Sequence, residues 1–147
     1  MKLAAPVLIA MLTLPAWAQT KPELAFYAAH ACAAGTAGAQ TDLEDGETLC
    51  LDSQPVFGGS AITAVSSDVD KETGQETAIV TMGQSGSTLL YAFTYANAGR
   101  KMAIVLDGKL VSAPFISGPN GAGQVTVHGL SHAQIAALIA RYQGKTP

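Results

Sequence analysis

The residues of this chain that could do chemistry are three histidines, two cysteines and scattered serines and carboxylates. His128 and His132 stand four apart, a spacing that on one helix would present two imidazoles to one metal ion. Ser131 is a helix-capping residue, however, so a helix starting there leaves His128 outside, and no Glu or Cys nearby completes a ligand set. His30 stands far from both. Surface histidines beside a helix N-terminus are the better reading, and no metal or cofactor is expected. Residues 68–74, Asp-Val-Asp-Lys-Glu-Thr-Gly, start like a calcium loop, but its sixth position is Thr73 where glycine is needed and its twelfth is Ile79 where a glutamate is needed. A solvated turn is expected instead. Gly83-Gln84-Ser85-Gly86 lacks the spacing of a nucleophile elbow, and Ser85 is better suited to a helix end. Spacing leaves open a Ser-His-acid set converging from distant segments, so a small secreted hydrolase or ligand-binding enzyme stands as an alternative. No catalytic residue is assigned.

Cys32 and Cys50 take their meaning from the N-terminus. Lys2 precedes an apolar run over residues 3–14, and Ala16-Trp17-Ala18 has the small-x-small form of a cleavage site. The run is shorter than the roughly 20 residues that span a bilayer. A signal peptide over residues 1–18, cut between Ala18 and Gln19, is therefore expected, giving a periplasmic or secreted protein without stable membrane insertion. In an oxidising compartment an even pair of cysteines closes into a disulfide; the alternative is two buried free thiols. The bond would pin residues 33–47, which are rich in Gly, Ala, Thr and acids and show no periodicity.

Net charge is −3, and losing Lys2 with the leader leaves seven basic residues against eleven acidic ones. Lys71, Arg100, Lys101 and Lys109 are dispersed, which argues against nucleic acid and anionic membrane surfaces as partners. Residues 19–147 have the length of one domain, with a poorly regular part over 23–60.

The elements that must position any site are legible in part. Leu24, Phe26 and Ala28 alternate like a strand, although the alanines would also suit a helix. A short strand is expected over 48–51, and strands over 63–69 and 76–82 flank a turn containing Gly74. Ser85 or Ser87 would cap a helix through Ala98, with Leu89, Phe93 and Ala96 on its buried face and Gly99 ending it. Asp107-Gly108 between two apolar runs is a hairpin turn, and Pro114 marks an edge or the end of the second strand. Residues 118–123 read as a loop and 124–127 as a strand. In the last element Ser131 and Gln134 form a capping box, Leu130 staples onto Ile135, and Ile135, Leu138, Ile139 and Tyr142 share one face. The order predicts an α+β domain with antiparallel hairpins packed against two amphipathic helices.

Residues 99–116, Gly-Arg-Lys-Met-Ala-Ile-Val-Leu-Asp-Gly-Lys-Leu-Val-Ser-Ala-Pro-Phe-Ile, resemble the signature of the SecD subunit of the bacterial Sec machinery, in the head of its large periplasmic domain. Gly123-Gln124-Val125-Thr126 is similar to that family's Gly-Gln-Ile-Thr run, and the likeness continues into the closing helix and, more weakly, back to residues 70–75. Val127 stands where the family favours glycine, and the two cysteines are not part of its pattern. The resemblance implies a SecD-head-like fold and a part in handling exported polypeptide. The expected activity is non-catalytic binding of unfolded or exported polypeptide, or of an envelope protein partner, with a structural role in an envelope assembly as a further alternative. The expected contact is the hairpin over residues 101–116 with the loop over 118–123, and in particular the edge at Val111, Pro114, Phe115 and Ile116 beyond the family-motif turn Asp107-Gly108, because an edge strand offers unpaired backbone groups.

Overall fold

The computed structural model describes residues 23–143. The leader expected over residues 1–18, with its Ala18/Gln19 cleavage point, lies outside the described residues. Eight strands and two helices follow in the order β1 (Leu24–Ala31), β2 (Gln40–Thr41), β3 (Thr48–Leu51), β4 (Ile62–Val69), β5 (Glu76–Met82), α1 (Gln84–Ala96), β6 (Lys101–Leu106), β7 (Lys109–Ser112), β8 (Gln124–Val127) and α2 (His132–Tyr142). They form two antiparallel sheets, one ordered β2-β3-β1-β6-β7 and one ordered β4-β5-β8. This is the expected α+β class, with the hairpins divided between two sheets.

The alternation in β1 resolves the helix-or-strand ambiguity in favour of a strand. Leu24 and Phe26 are fully buried. They join Met102, Ile104 and Leu106 of β6, the inner residues of β4, β5 and β8, and Leu90, Phe93, Ile135, Leu138 and Tyr142 of the helices in one apolar core. The opposite face of the five-stranded sheet encloses a second, smaller core of Ala29, Leu49, Ala103, Val105, Leu110 and Ala113. It can do so because the sheet curls until its two edge strands meet: the Gln40 side chain of β2 accepts a hydrogen bond from the Leu110 N–H of β7 at 2.6 Å.

The β6–β7 turn takes positive φ at both central residues, 51° at Asp107 and 82° at Gly108, as a primed hairpin turn requires. Asp107 also clamps the start of β1, accepting from the Glu23 N–H at 2.8 Å through Oδ1 and donating its own N–H to the Glu23 carbonyl at 3.0 Å. In the β4–β5 turn the Asp70 carboxylate accepts from the Glu72 and Thr73 N–H groups at 2.8 and 3.0 Å. The bonds from Thr73 and then Glu72 hold the Asp70 carboxyl below its ordinary range. The would-be calcium loop thus spends this acid on its own backbone.

Helix α2 starts as expected: Gln134 N–H donates to Ser131 Oγ at 3.2 Å, and Ser131 N–H donates to Gln134 Oε1 at 2.8 Å. Helix α1 differs from the sequence expectation. Its cap is Gly83, with Ser85 and Ser87 inside the first turn, and it ends at Ala96. Its buried face is Gly86, Leu90, Phe93 and Thr94, while Leu89 is 48% exposed and Ala96 is exposed. The cause is the close approach at Gly86, where an added Cβ would lie 2.7 Å from the Ala61 carbonyl oxygen. Gly86→Ala, which would stabilise an ordinary helix interior by about 0.5–1 kcal/mol, should here destabilise the protein by about 1–3 kcal/mol as overpacking against backbone. Thermal melts of the two forms check this.

Candidate functional site

Pro114 has no N–H to give, and β7 stops at Ser112, yet the chain stays beside β6. Met102 N–H donates to the Pro114 carbonyl at 3.0 Å, Ile116 N–H to that of Arg100 at 2.8 Å and Gly99 N–H to that of Ile116 at 2.8 Å. An isolated bridge pairs Lys101 with Phe115. Residues 117–123 then leave the sheet as a loop held by Asn120. Its N–H donates to Thr94 Oγ1 at 2.8 Å, its Nδ2 to the Gln124 carbonyl at 2.8 Å, and its Oδ1 accepts from the Ala122 N–H at 3.1 Å. Thr94, 4% exposed, in turn donates its hydroxyl to the Leu90 carbonyl at 2.7 Å.

These contacts prop open a cleft of about 460 Å³ between helix α1, the loop and strand β8. Met102, Ile116 and Val125 supply apolar lining, Thr94, Asn120 and Thr126 polar lining, and Phe115 stands 64% exposed beside it. Strand β8 is the edge of its sheet, so the cleft lies between a sheet edge and the β7 extension. The lining carries no charged side chain. On the helix that provides Thr94, the Tyr91 and Tyr95 rings stack at 6.3 Å and are 48% and 70% exposed.

Of the residues singled out in sequence, Pro114, Phe115 and Ile116 line this cleft. Val111 is half-buried on β7, and its carbonyl would lie 2.7 Å from a Cβ at Gly129, so Gly129 passes close over it. Gln40 occupies the neighbouring Leu110 N–H. The Asp107-Gly108 turn lies at the other end of β6. Asn120 lies in the loop that the sequence places at the site, whereas Thr94 and Val125 were not singled out for it.

Cys32 and Cys50 form a disulfide with Cα atoms 5.8 Å apart. Between them the chain contributes three carboxylates that converge on Lys101: Asp42 at 2.8 Å, Glu47 at 3.0 Å and Asp45 in a shorter contact. Asp42 is 2% exposed. Burial works against the Lys101 charge, but the hydrogen bonds it donates to Asp42, Asp45 and Glu47 together outweigh it and raise its pKa above the ordinary lysine value. The Lys101 bond, followed by one from the Glu47 N–H, lowers that of Asp45.

The histidines do not converge. His132 Nδ1 lies 2.7 Å from Glu76 Oε2 on the surface, His128 precedes α2, and His30 is on β1. Among the described residues no group of three or more His, Cys, Asp or Glu is placed to hold a metal ion, and no helix is long and apolar enough to cross a membrane.

Residues 36–142 match the family model of the SecDF P1 head subdomain. The chain is 30% identical over 81 residues to the protein translocase subunit SecD of Syntrophobacter fumaroxidans, which covers 55% of this chain and 15% of the relative. It is 37% identical over 73 residues to that of Rickettsia felis, covering 48% of this chain and 14% of the relative. The chain thus spans about a seventh of the length of these relatives. A solved structure of SecDF, described as a membrane component that enhances protein export, superposes with a TM-score of 0.64 at 21% identity, over 86% of this chain and 64% of that one. SecDF in a super-membrane-facing form superposes with a TM-score of 0.65 at 20% identity, over 86% of this chain and 19% of that one.

Proposed function

This chain belongs to the SecDF P1 head subdomain family, and from that premise we propose that it is an exported binding module of protein export, which holds extended, apolar stretches of unfolded polypeptide in the Met102–Phe115–Val125 cleft. Its place is the periplasmic side of the envelope, as one domain over residues 19–147 after loss of the leader, acting without catalysis. The observation that carries this reading is an uncharged cleft set between a sheet edge and an exposed aromatic residue. Backbone groups at the β8 edge suit pairing with a peptide backbone, which is indifferent to sequence, while Met102, Ile116 and Val125 suit one inserted apolar side chain. Affinity is then modest, since ordering an extended chain offsets much of the contact gain.

Binding by such a cleft should tolerate salt. Charge-driven binding weakens as the screening length falls from about 30 Å at 0.01 M ionic strength to about 3 Å at 1 M. With a fluorescent unfolded polypeptide as probe, Kd should change by less than roughly threefold across that range. Phe115→Ser should weaken binding roughly tenfold, as loss of an aromatic contact does. Its melting temperature should stay unchanged, because the side chain is exposed. A steep salt dependence, or full-strength binding by Phe115→Ser, would count against the cleft; capture of one folded envelope protein in place of unfolded chains would favour the partner-protein alternative.

A further inference from the structure

Residues 33–47, which carry the edge strand β2, form a strap that contributes no residue to either apolar core. Ala33 to Gly38 are exposed, and Leu43, at 85% exposure, contributes nothing to either core. The strap is instead held by the short β2–β3 ladder, the Cys32–Cys50 disulfide at its base, the ion cluster of Asp42, Asp45 and Glu47 on Lys101 and the Gln40–Leu110 hydrogen bond. The last of these closes the curl of the sheet over the smaller core, which is separate from the core shared by the helices.

We propose that the strap is a redox latch. With the disulfide intact it is closed; reduction lets it lift as a unit, opening the smaller core on the side where β2 meets β7 and freeing the Leu110 N–H, while the main core stays folded. Both cysteines are half-buried. A thiolate of the dithiol attacks one sulfur and forms a mixed disulfide, and the other cysteine leaves as thiolate. The second thiol of the dithiol then displaces the first cysteine and closes the reagent's own disulfide, so that two electrons and two protons end on Cys32 and Cys50. The Lys101 cluster is the charged fastening that remains in the reduced state. The bond is therefore expected to matter more once that cation is gone, a coupling between two contacts that hold one segment. None of this depends on the cleft at Phe115.

The test is hydrogen exchange read by mass spectrometry on the oxidised chain and after dithiothreitol, in wild type and in Lys101→Met. Reduction of wild type should speed exchange of the 33–47 amides by roughly tenfold or more with α2 changed by less than roughly twofold, as expected of a local opening. Reduced Lys101→Met should lose strap protection altogether, and reoxidation should restore it. Cleavage after Glu44 and Glu47 by a glutamate-specific protease should rise in parallel. Unchanged strap exchange in reduced wild type would overturn the latch, as would loss of α2 protection at the same reductant concentration. A Cys32→Ser/Cys50→Ser chain decides the same question without Lys101→Met.

Discussion

Phe26→Ala should lower the free energy of unfolding by about 4 kcal/mol, the middle of the range for emptying a buried aromatic site. Phe26 is 0% exposed near the start of β1, where it pairs with Ile104 of β6, and its ring sits 4.6 Å from that of Phe57. Its backbone also holds the 56–57 segment: Phe26 N–H donates to the Phe57 carbonyl at 3.0 Å, and its carbonyl accepts from the Val56 N–H at 2.7 Å. Main-chain bonds survive the substitution, so the loss measures the cavity and the missing ring contact. Urea titration should show the midpoint falling with little change in slope. Phe115→Ser, by contrast, should leave the midpoint in place. A loss below about 1 kcal/mol for Phe26→Ala would mean that the site collapses around the missing ring.

Lys101→Met should cost about 3 kcal/mol, since removing one partner of a buried pair leaves the other charge uncompensated. The carboxylate at risk is Asp42; Asp45 and Glu47, with side chains 50% and 39% exposed, can return to water. Asp45→Asn and Glu47→Gln should each cost well under 1 kcal/mol, as exposed pairs do. Adding Asp42→Asn to Lys101→Met should recover much of the loss. The pH dependence has a definite sign. The pKa of Lys101 is raised, so its contribution is complete below the ordinary value of 10.5 and fades as pH climbs through the folded-state value. That of Asp45 is lowered, so its contribution is complete above 3.8 and fades as pH falls through the folded-state value. The Lys101–Asp45 contact should therefore hold steadily from about pH 4 to pH 10.

What could be read in the sequence was what is local. The Ser131/Gln134 capping box, the Asp107-Gly108 turn and the β4–β5 hairpin each depend on residues within a few positions, and each stands in the structure. Helix α1 was misread because its buried face includes Gly86 and Thr94, residues that apolar periodicity passes over. One is there to avoid the Ala61 carbonyl, and the other returns its hydroxyl to the helix while taking the Asn120 N–H. Leu89, apolar and at an attractive spacing, faces solvent instead. The curled sheet and the Lys101 cluster were out of reach for a different reason: Lys101 meets Asp42 across 59 positions and Gln40 meets Leu110 across 70. No local pattern records such a pairing. The cleft falls between these cases: Pro114, Phe115 and Ile116 were visible as an interrupted strand, but the walls supplied by Thr94 and Val125 depend on how α1 and β8 pack.

The most direct test of the cleft as the polypeptide site is to titrate the isotopically labelled protein with an unfolded exported polypeptide and follow its amide and methyl resonances. Binding in the cleft predicts that the largest shifts fall on Met102, Phe115, Ile116, Asn120 and Val125, with the strap over 33–47 and the Asp107-Gly108 turn unmoved. Shifts centred on the strap or that turn, or no shifts at all at polypeptide concentrations well above the protein's, would contradict it.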